Sequence, residues 1–101
     1  MTSIKHNEHV VKLLKDIFGL SVDIEYRNII YYANGMSHIV FDIYADYKNC
    51  EIYNSELKIK FGKYYGGFYT SDIMKKYTFH LDAKYVVYSN RKFNINHLLN
   101  A

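Results

Sequence analysis

Two carboxylates and a lysine are the residues whose types and spacing best fit catalytic chemistry. Glu56 and Lys58 lie two residues apart in the run Glu56-Leu57-Lys58, so they share one face if this run is a β-strand. Asp42 lies in an earlier run of similar alternation. Mg²⁺ and Mn²⁺ prefer carboxylate oxygens, and a neighbouring lysine can orient water or stabilise an oxyanion. These are the residue types that metal-dependent phosphodiester hydrolysis needs.

The elements that must position these residues follow from hydrophobic periodicity. Apolar residues recur at helical spacing over 4–18, and Gly19 follows directly, which predicts a helix. Runs that alternate apolar and polar residues predict three strands: 22–32, 36–47 and 52–61. Asn34-Gly35 predicts a hairpin between the first two strands, and a change of phase at Asn28 predicts a β-bulge.

Burial then sets the register of the second and third strands. Residues that pair across two strands lie on the same face of the sheet, so the apolar faces of the two strands must coincide. A register that pairs Phe41 with Leu57 makes them coincide. The same register places Asp42 opposite Glu56 and brings Lys58 beside them. We therefore expect three ionisable groups to converge on one face of the sheet.

The second half of the chain predicts a loop, a helix and a strand. Residues 62–69 (GKYYGGFY) resemble a glycine-rich aromatic loop, and Thr70-Ser71-Asp72 favours the start of a helix that continues to about residue 81. A strand over 84–89, a turn at Asn90-Arg91 and a helical turn over 94–99 complete the prediction. The fold class is thus α+β: one domain over 1–101, ordered α-β-β-β-α-β, with an antiparallel meander packed on helices.

This order and these residues resemble the core of the PD-(D/E)XK nuclease superfamily, which includes Holliday-junction resolvases and restriction-type endonucleases. Members carry an aspartate on the second strand and a Glu-x-Lys motif on the third, and some add a glutamate from the first helix. Asp42, Glu56-Leu57-Lys58 and Glu8 match these positions. The stretch 81–88 is similar to the last strand of the family. No proline precedes Asp42, although the name of the family expects one.

The resemblance implies a metal-dependent nuclease with four catalytic residues. Asp42 and Glu56 would hold Mg²⁺ or Mn²⁺, Lys58 would be the positioning cation, and Glu8 would assist from the helix. Family members are often dimers, so a homodimer is expected. A net charge of +3 permits contact with nucleic acid. The predicted nucleic-acid or partner contacts are Lys60, Lys63, Tyr64, Tyr65, Phe68, Tyr69, Lys75, Lys76, Arg91 and Lys92.

A second interpretation stays open, because alternating charges are typical of any solvent-exposed sheet. Twelve tyrosines and six phenylalanines make 18% of the chain aromatic, which suits a protein-binding surface. A small non-enzymatic protein, such as a phage-type inhibitor of a host defence enzyme or an immunity-type protein, would be of this size. It would bind its protein partner through a tyrosine-rich surface and would need no cofactor.

Several classes of protein are disfavoured by composition. The sequence contains no run of about 18 apolar residues, which a membrane-spanning helix would need. The N-terminus lacks the apolar segment of a signal peptide. Cys50 is the only cysteine, so no internal disulfide can form. We therefore expect a cytoplasmic protein, in the host cytoplasm if it is viral, with no membrane partner.

Overall fold

The computed structural model describes residues 4–45, 50–71 and 73–89, and it confirms a small α+β domain. Its main elements are α1 (Ile4–Phe18), β1 (Asp23–Tyr31), β2 (Ser37–Tyr44), α2 (Cys50–Phe61), β3 (Tyr65–Ser71) and β4 (Lys76–Asp82). A single 3₁₀ turn, Gly62–Tyr64, connects α2 to β3, and residues 84–89 are helical. The four strands form one antiparallel sheet in the order β1-β2-β4-β3.

The first half of the sheet follows the predictions made from the sequence. The β1–β2 hairpin turns at Asn34-Gly35, where Gly35 has a φ of +85° that favours glycine. The Met36 amide donates to the Asn34 side chain at 3.0 Å and fixes the turn. The register shifts between Tyr26 and Asn28, which confirms the predicted bulge.

The predicted third strand over 52–61 is wrong, because this segment is the helix α2. Tyr53, Leu57 and Phe61 recur every four residues, and Leu57 and Phe61 are buried in the core. Glu, Lys and Leu in this run are strong helix formers. Gly62 follows with a φ of +54°, a conformation that commonly ends a helix. The predicted pairing of Phe41 with Leu57 as strand neighbours is therefore wrong as well.

The predictions for the second half also need correction. Residues 62–69 are not a loop, because most of them belong to β3, and the predicted helix to residue 81 is instead the hairpin β3–β4. The period in β4 is two: Tyr77, Phe79 and Leu81 are buried and alternate with partly exposed residues. Ile73 and Met74 lie exposed in the connecting turn.

The predicted strand over 84–89 is wrong too, since this segment is helical. The carboxylate of Asp82 accepts a hydrogen bond from the Lys84 amide at 2.9 Å, which stabilises the start of the helical turn. Val86 is buried against the core. The observed order is α-β-β-α-β-β with this helical segment at the end. The predicted turn at Asn90-Arg91 and helical turn over 94–99 lie outside the described residues.

The core lies between the helices and one face of the sheet. Strand residues of this face pack with helix residues in one cluster: Val10, Leu14, Phe18, Ile39, Phe41, Ile43, Leu57, Phe61, Tyr77, Phe79, Leu81 and Val86. Because strand side chains alternate, the residues between these core positions lie on the opposite face. We call this opposite face the open sheet face; its central residues are His38, Val40 and Asp42 of β2 with Lys76, Thr78 and His80 of β4.

Candidate functional sites

The structure does not bring the predicted catalytic residues together. Asp42 lies on the open sheet face, whereas Glu56 and Lys58 are exposed on α2, which packs on the other face. Glu8 is exposed on α1, also in the helix layer. The predicted convergence of Asp42, Glu56 and Lys58 on one face is therefore wrong, because it depended on a strand where the chain forms a helix.

Asp42 instead accepts a network of hydrogen bonds on the open sheet face. Both oxygens of its carboxylate bind the guanidinium of Arg27, with Arg27 Nε donating at 2.9 Å. Lys76 Nζ lies 3.3 Å from the same carboxylate, and the Thr78 hydroxyl donates to it at 3.3 Å. Binding through two hydrogen bonds at once fixes the orientation of both side chains and also pairs their charges.

The charges around Asp42 keep it ionised although it is only 6% exposed. Burial by itself would raise the pKa of this carboxyl. The hydrogen bonds and positive charges of Arg27 and Lys76 outweigh burial, so the pKa of Asp42 lies below its usual value. The Asp42 carboxylate is thus the shared partner of both cations.

Arg27 was not predicted from the sequence, although the bulge that positions it was. It is the extra residue between Tyr26 and Asn28, which pair with consecutive residues of β2. A bulge redirects the side chain of its extra residue, and here the guanidinium reaches Asp42. The change of phase at Asn28 was the available signal for the bulge. Asp42 could be identified as the partner of Arg27 only from the true order of the strands.

A pair of histidines occupies the same face, nearer to β3. His38 Nδ1 and His80 Nδ1 are 3.4 Å apart, and the two rings are almost perpendicular at 87°. His38 is buried, and its ring lies over Gly66: a Cβ there would come within 2.9 Å of the ring and of the His80 carbonyl oxygen. The ring of Tyr69 folds over Gly67 in the same way. Gly66 and Gly67 therefore make room for side chains.

The open sheet face carries both signs of charge, with acid in excess. In the described strands, its acidic positions are Asp23, Glu25, Asp42 and Asp82, and its basic positions are Arg27 and Lys76. Both basic residues contact Asp42. This face therefore lacks the positive potential that polyanions need.

A different surface forms where α2, the 3₁₀ turn and the segment 84–89 meet. We call it the lysine–tyrosine corner; it consists of Lys58, Lys60, Lys63, Tyr64, Tyr65, Lys84, Tyr85 and Tyr88. All four lysines are exposed. Among the residues that the structure describes, none of these lysines lies within ion-pair distance of a carboxylate. Their charge is therefore available to a partner.

Tyrosine rings lie beside two of these lysines, Lys58 and Lys63. Tyr64 stacks on Tyr88 with ring centroids 5.6 Å apart and meets the edge of Tyr85 at 5.6 Å. Lys63 Nζ lies 5.3 Å from the centre of the Tyr64 ring, and Lys58 Nζ lies 5.6 Å from that of Tyr65. Both distances are within the range of cation–π attraction.

The ring stack is anchored on one side and exposed on the other. Phe61 at the end of α2 contacts the edge of Tyr85 with centroids 5.1 Å apart and thereby joins the stack to the core. Tyr88 keeps 46% of its surface exposed. Burial raises the pKa of both Tyr65 and Tyr85 above the ordinary tyrosine value.

The predicted contact residues divide between several places. Lys60, Lys63, Tyr64 and Tyr65 belong to the lysine–tyrosine corner, as does Lys58, which was predicted to be catalytic. The others lie elsewhere: Phe68 stacks on Tyr77 in the core, Tyr69 is on the open sheet face, Lys75 is in the β3–β4 turn, and Lys76 pairs with Asp42. Arg91 and Lys92 lie outside the described residues. Tyr85 and Tyr88 were missed because residues 84–89 were predicted to be a strand.

Comparisons with known proteins add no functional assignment. Family models, curated proteins and solved structures were all searched, and none matches this chain. Within 4–45, 50–71 and 73–89, no three His, Cys, Asp or Glu side chains cluster closely enough to hold a metal ion. No helix in those ranges is long and apolar enough to span a membrane.

Proposed function

We propose that this protein binds single-stranded nucleic acid through the lysine–tyrosine corner. The observation that carries the proposal is that its exposed lysines have no acidic partner among the described residues, and that Lys58 and Lys63 lie over tyrosine rings. Unpaired lysines attract phosphates, and exposed rings offer a surface on which bases stack. The corner supplies both at Lys58 and Lys63, each of which lies over a tyrosine ring.

Charge favours the lysine–tyrosine corner over the open sheet face as the binding surface. Four lysines contribute to the corner, whereas acidic positions outnumber basic ones on the open sheet face. Lys63 carries its charge beside the Tyr64 ring, so phosphate binding and base stacking can occur side by side. The net charge of the whole chain, +3, also favours a negatively charged partner.

Aromatic stacking favours single strands over duplexes. In a duplex the faces of the bases are already stacked on one another, whereas an unpaired base can leave the strand and stack on a protein ring. The stacked pair Tyr64–Tyr88 presents such a ring at its exposed end. We therefore expect single-stranded DNA or RNA to bind more tightly than a duplex of the same length.

The test is fluorescence anisotropy with labelled single-stranded oligonucleotides over a series of salt concentrations. The main variant is Lys58→Gln, Lys60→Gln and Lys63→Gln combined. We expect its affinity to fall at least about tenfold, and the slope of log affinity against log salt to become shallower by about 2, because three phosphate contacts are lost.

A matched control separates a defined site from general charge. Lys12, Lys15 and Lys75 lie outside the corner, and changing all three to Gln removes the same charge. This control should retain most of the affinity. Equal losses in the two triple variants would contradict a defined site, and an absence of binding by the folded wild type would overturn the proposal.

Hydrolysis stays a prediction, and the same complexes can test it. Incubating the bound oligonucleotides with Mg²⁺, Mn²⁺ or EDTA would reveal metal-dependent cleavage. A binding protein without catalysis should leave them intact in all three. If neither binding nor cleavage occurs, the protein-binding interpretation is favoured, and co-purification of a protein partner becomes the next experiment.

A further inference from the structure

The histidine pair on the open sheet face brings two imidazole nitrogens close enough to bind one ion. The 3.4 Å between His38 Nδ1 and His80 Nδ1 exceeds the usual range of about 2.7–3.2 Å for N–H donors. Two imidazole nitrogens bound to one tetrahedral zinc ion, each about 2.0–2.1 Å from it, are about 3.3–3.4 Å apart. The observed spacing therefore matches two ligands that share one metal ion.

The surroundings hold both rings in this arrangement. Tyr32 meets the His38 ring edge-on at 4.9 Å, and Tyr69 meets the His80 ring edge-on at 5.3 Å. Gly66 leaves space for the His38 ring that a side chain would fill. Two ligands fixed in advance lose little conformational freedom when a metal ion binds.

The local charges also suit metal binding. A metal ion binds imidazole through a ring nitrogen that carries no proton. Arg27 is bound to Asp42, which offsets its positive charge near the pair.

We propose that His38 and His80 form a two-histidine site for a divalent ion of the zinc or copper type, bound through both Nδ1 atoms. Imidazole suits these ions and is a poor ligand for magnesium. No third His, Cys, Asp or Glu of the described ranges joins the pair, so water fills the other coordination positions. The site is separate from the lysine–tyrosine corner and does not depend on nucleic-acid binding.

The first test is calorimetric titration of the untagged full chain with ZnCl₂ and, separately, CuCl₂. We expect one ion per chain with micromolar affinity. His80→Gln should weaken binding by more than about tenfold, because it removes a direct ligand. His9→Gln is the matched control: this histidine is exposed on α1, and its loss should leave the affinity unchanged.

A second measurement uses the wild type alone, so it does not depend on a variant that folds. Nitrogen NMR of the imidazoles should show both Nδ1 resonances of His38 and His80 shifting on addition of Zn²⁺, with those of His9 unmoved. Binding should weaken as pH falls, because protons compete for the same nitrogens. An affinity that His80→Gln leaves intact, shifts confined to other histidines, or no binding would each overturn the proposal.

Discussion

The open sheet face and the lysine–tyrosine corner both contain cations, but they use them differently. On the sheet, Arg27 and Lys76 both bind Asp42, and Lys76 is largely buried. At the corner, lysines such as Lys63 are exposed and lie over ring faces, and none of them is within ion-pair distance of a carboxylate among the described residues. The sheet uses its cations for internal stability, and the corner leaves its cations for a partner.

This difference shows why a count of basic residues does not locate a binding surface. Lys76 was predicted as a contact together with Lys60 and Lys63. Only the fold reveals that Lys76 neutralises Asp42 whereas Lys60 and Lys63 have no acidic partner in the described ranges. The absence of an ion pair is therefore more informative here than the presence of charge.

The largest expected effect is on the open sheet face, at Gly66. Gly66→Ala should lower the free energy of unfolding by about 1–3 kcal/mol, because its Cβ would lie 2.9 Å from both the His38 ring and the His80 carbonyl oxygen. Urea denaturation measures this. In a His38→Ala background the same change should be milder, and equal effects in both backgrounds would contradict the contact with the ring.

Asp42→Asn should have the next largest effect, about 1–2 kcal/mol of stability at pH 7. This expected loss is at the low end of the range for a charged hydrogen-bond network, because the side chain of Arg27 is 41% exposed to screening solvent. Urea denaturation of the wild type and the variant at the same pH measures the difference. Unchanged stability would mean that the network contributes nothing.

The same network predicts a pH dependence of defined sign. The pKa of Asp42 is lowered in the folded state, so its stabilisation is complete above the ordinary aspartate value of about 3.9 and is lost as pH falls through the lowered value. The stability difference between wild type and Asp42→Asn should be constant from pH 7 to pH 5 and shrink below about pH 4. A difference that grows on acidification would contradict this sign.

Substitutions of the exposed ring at the corner should change binding and leave the fold intact. Tyr88→Leu should weaken single-strand binding by about 1 kcal/mol, at the low end for base–aromatic stacking, because only part of this ring is exposed. Tyr88→Phe keeps the ring and should retain binding. Anisotropy titrations compare the two, and equal losses would indicate that the hydroxyl, not stacking, matters.

The smallest effect on stability should come from Lys63→Gln. This lysine is exposed and has no acidic partner among the described residues, so the free energy of unfolding should change by less than about 0.5 kcal/mol. Urea denaturation beside Asp42→Asn measures the contrast between the two surfaces. A loss as large as that of Asp42→Asn would show that the corner lysines, too, support the fold.

The sequence predicted the elements whose signals are local. The helix Ile4–Phe18 has a long apolar stripe, and the hairpin at Asn34-Gly35 has a specific turn chemistry, so both were predicted correctly. The run Cys50–Phe61 is short, and its apolar residues fit both period two and helical spacing. Only packing of Leu57 and Phe61 against the sheet distinguishes the two.

The candidate sites were less predictable, because they depend on which strands are neighbours. Lys63, Tyr64 and Tyr65 were named from the sequence since they are adjacent in it. The contacts of Asp42 with Lys76, and of His38 with His80, require β4 to lie beside β2. With β4 predicted as a helix, neither pair could be inferred.

The most direct test of the central claim is an NMR titration of the full chain with a short single-stranded oligonucleotide, followed by amide chemical shifts. We predict that the perturbed amides lie within 58–65 and 84–89, and that those of 38–42 and 76–80 stay unchanged. Perturbations concentrated on the open sheet face, or none at saturating oligonucleotide, would contradict the assignment of the lysine–tyrosine corner as the binding surface.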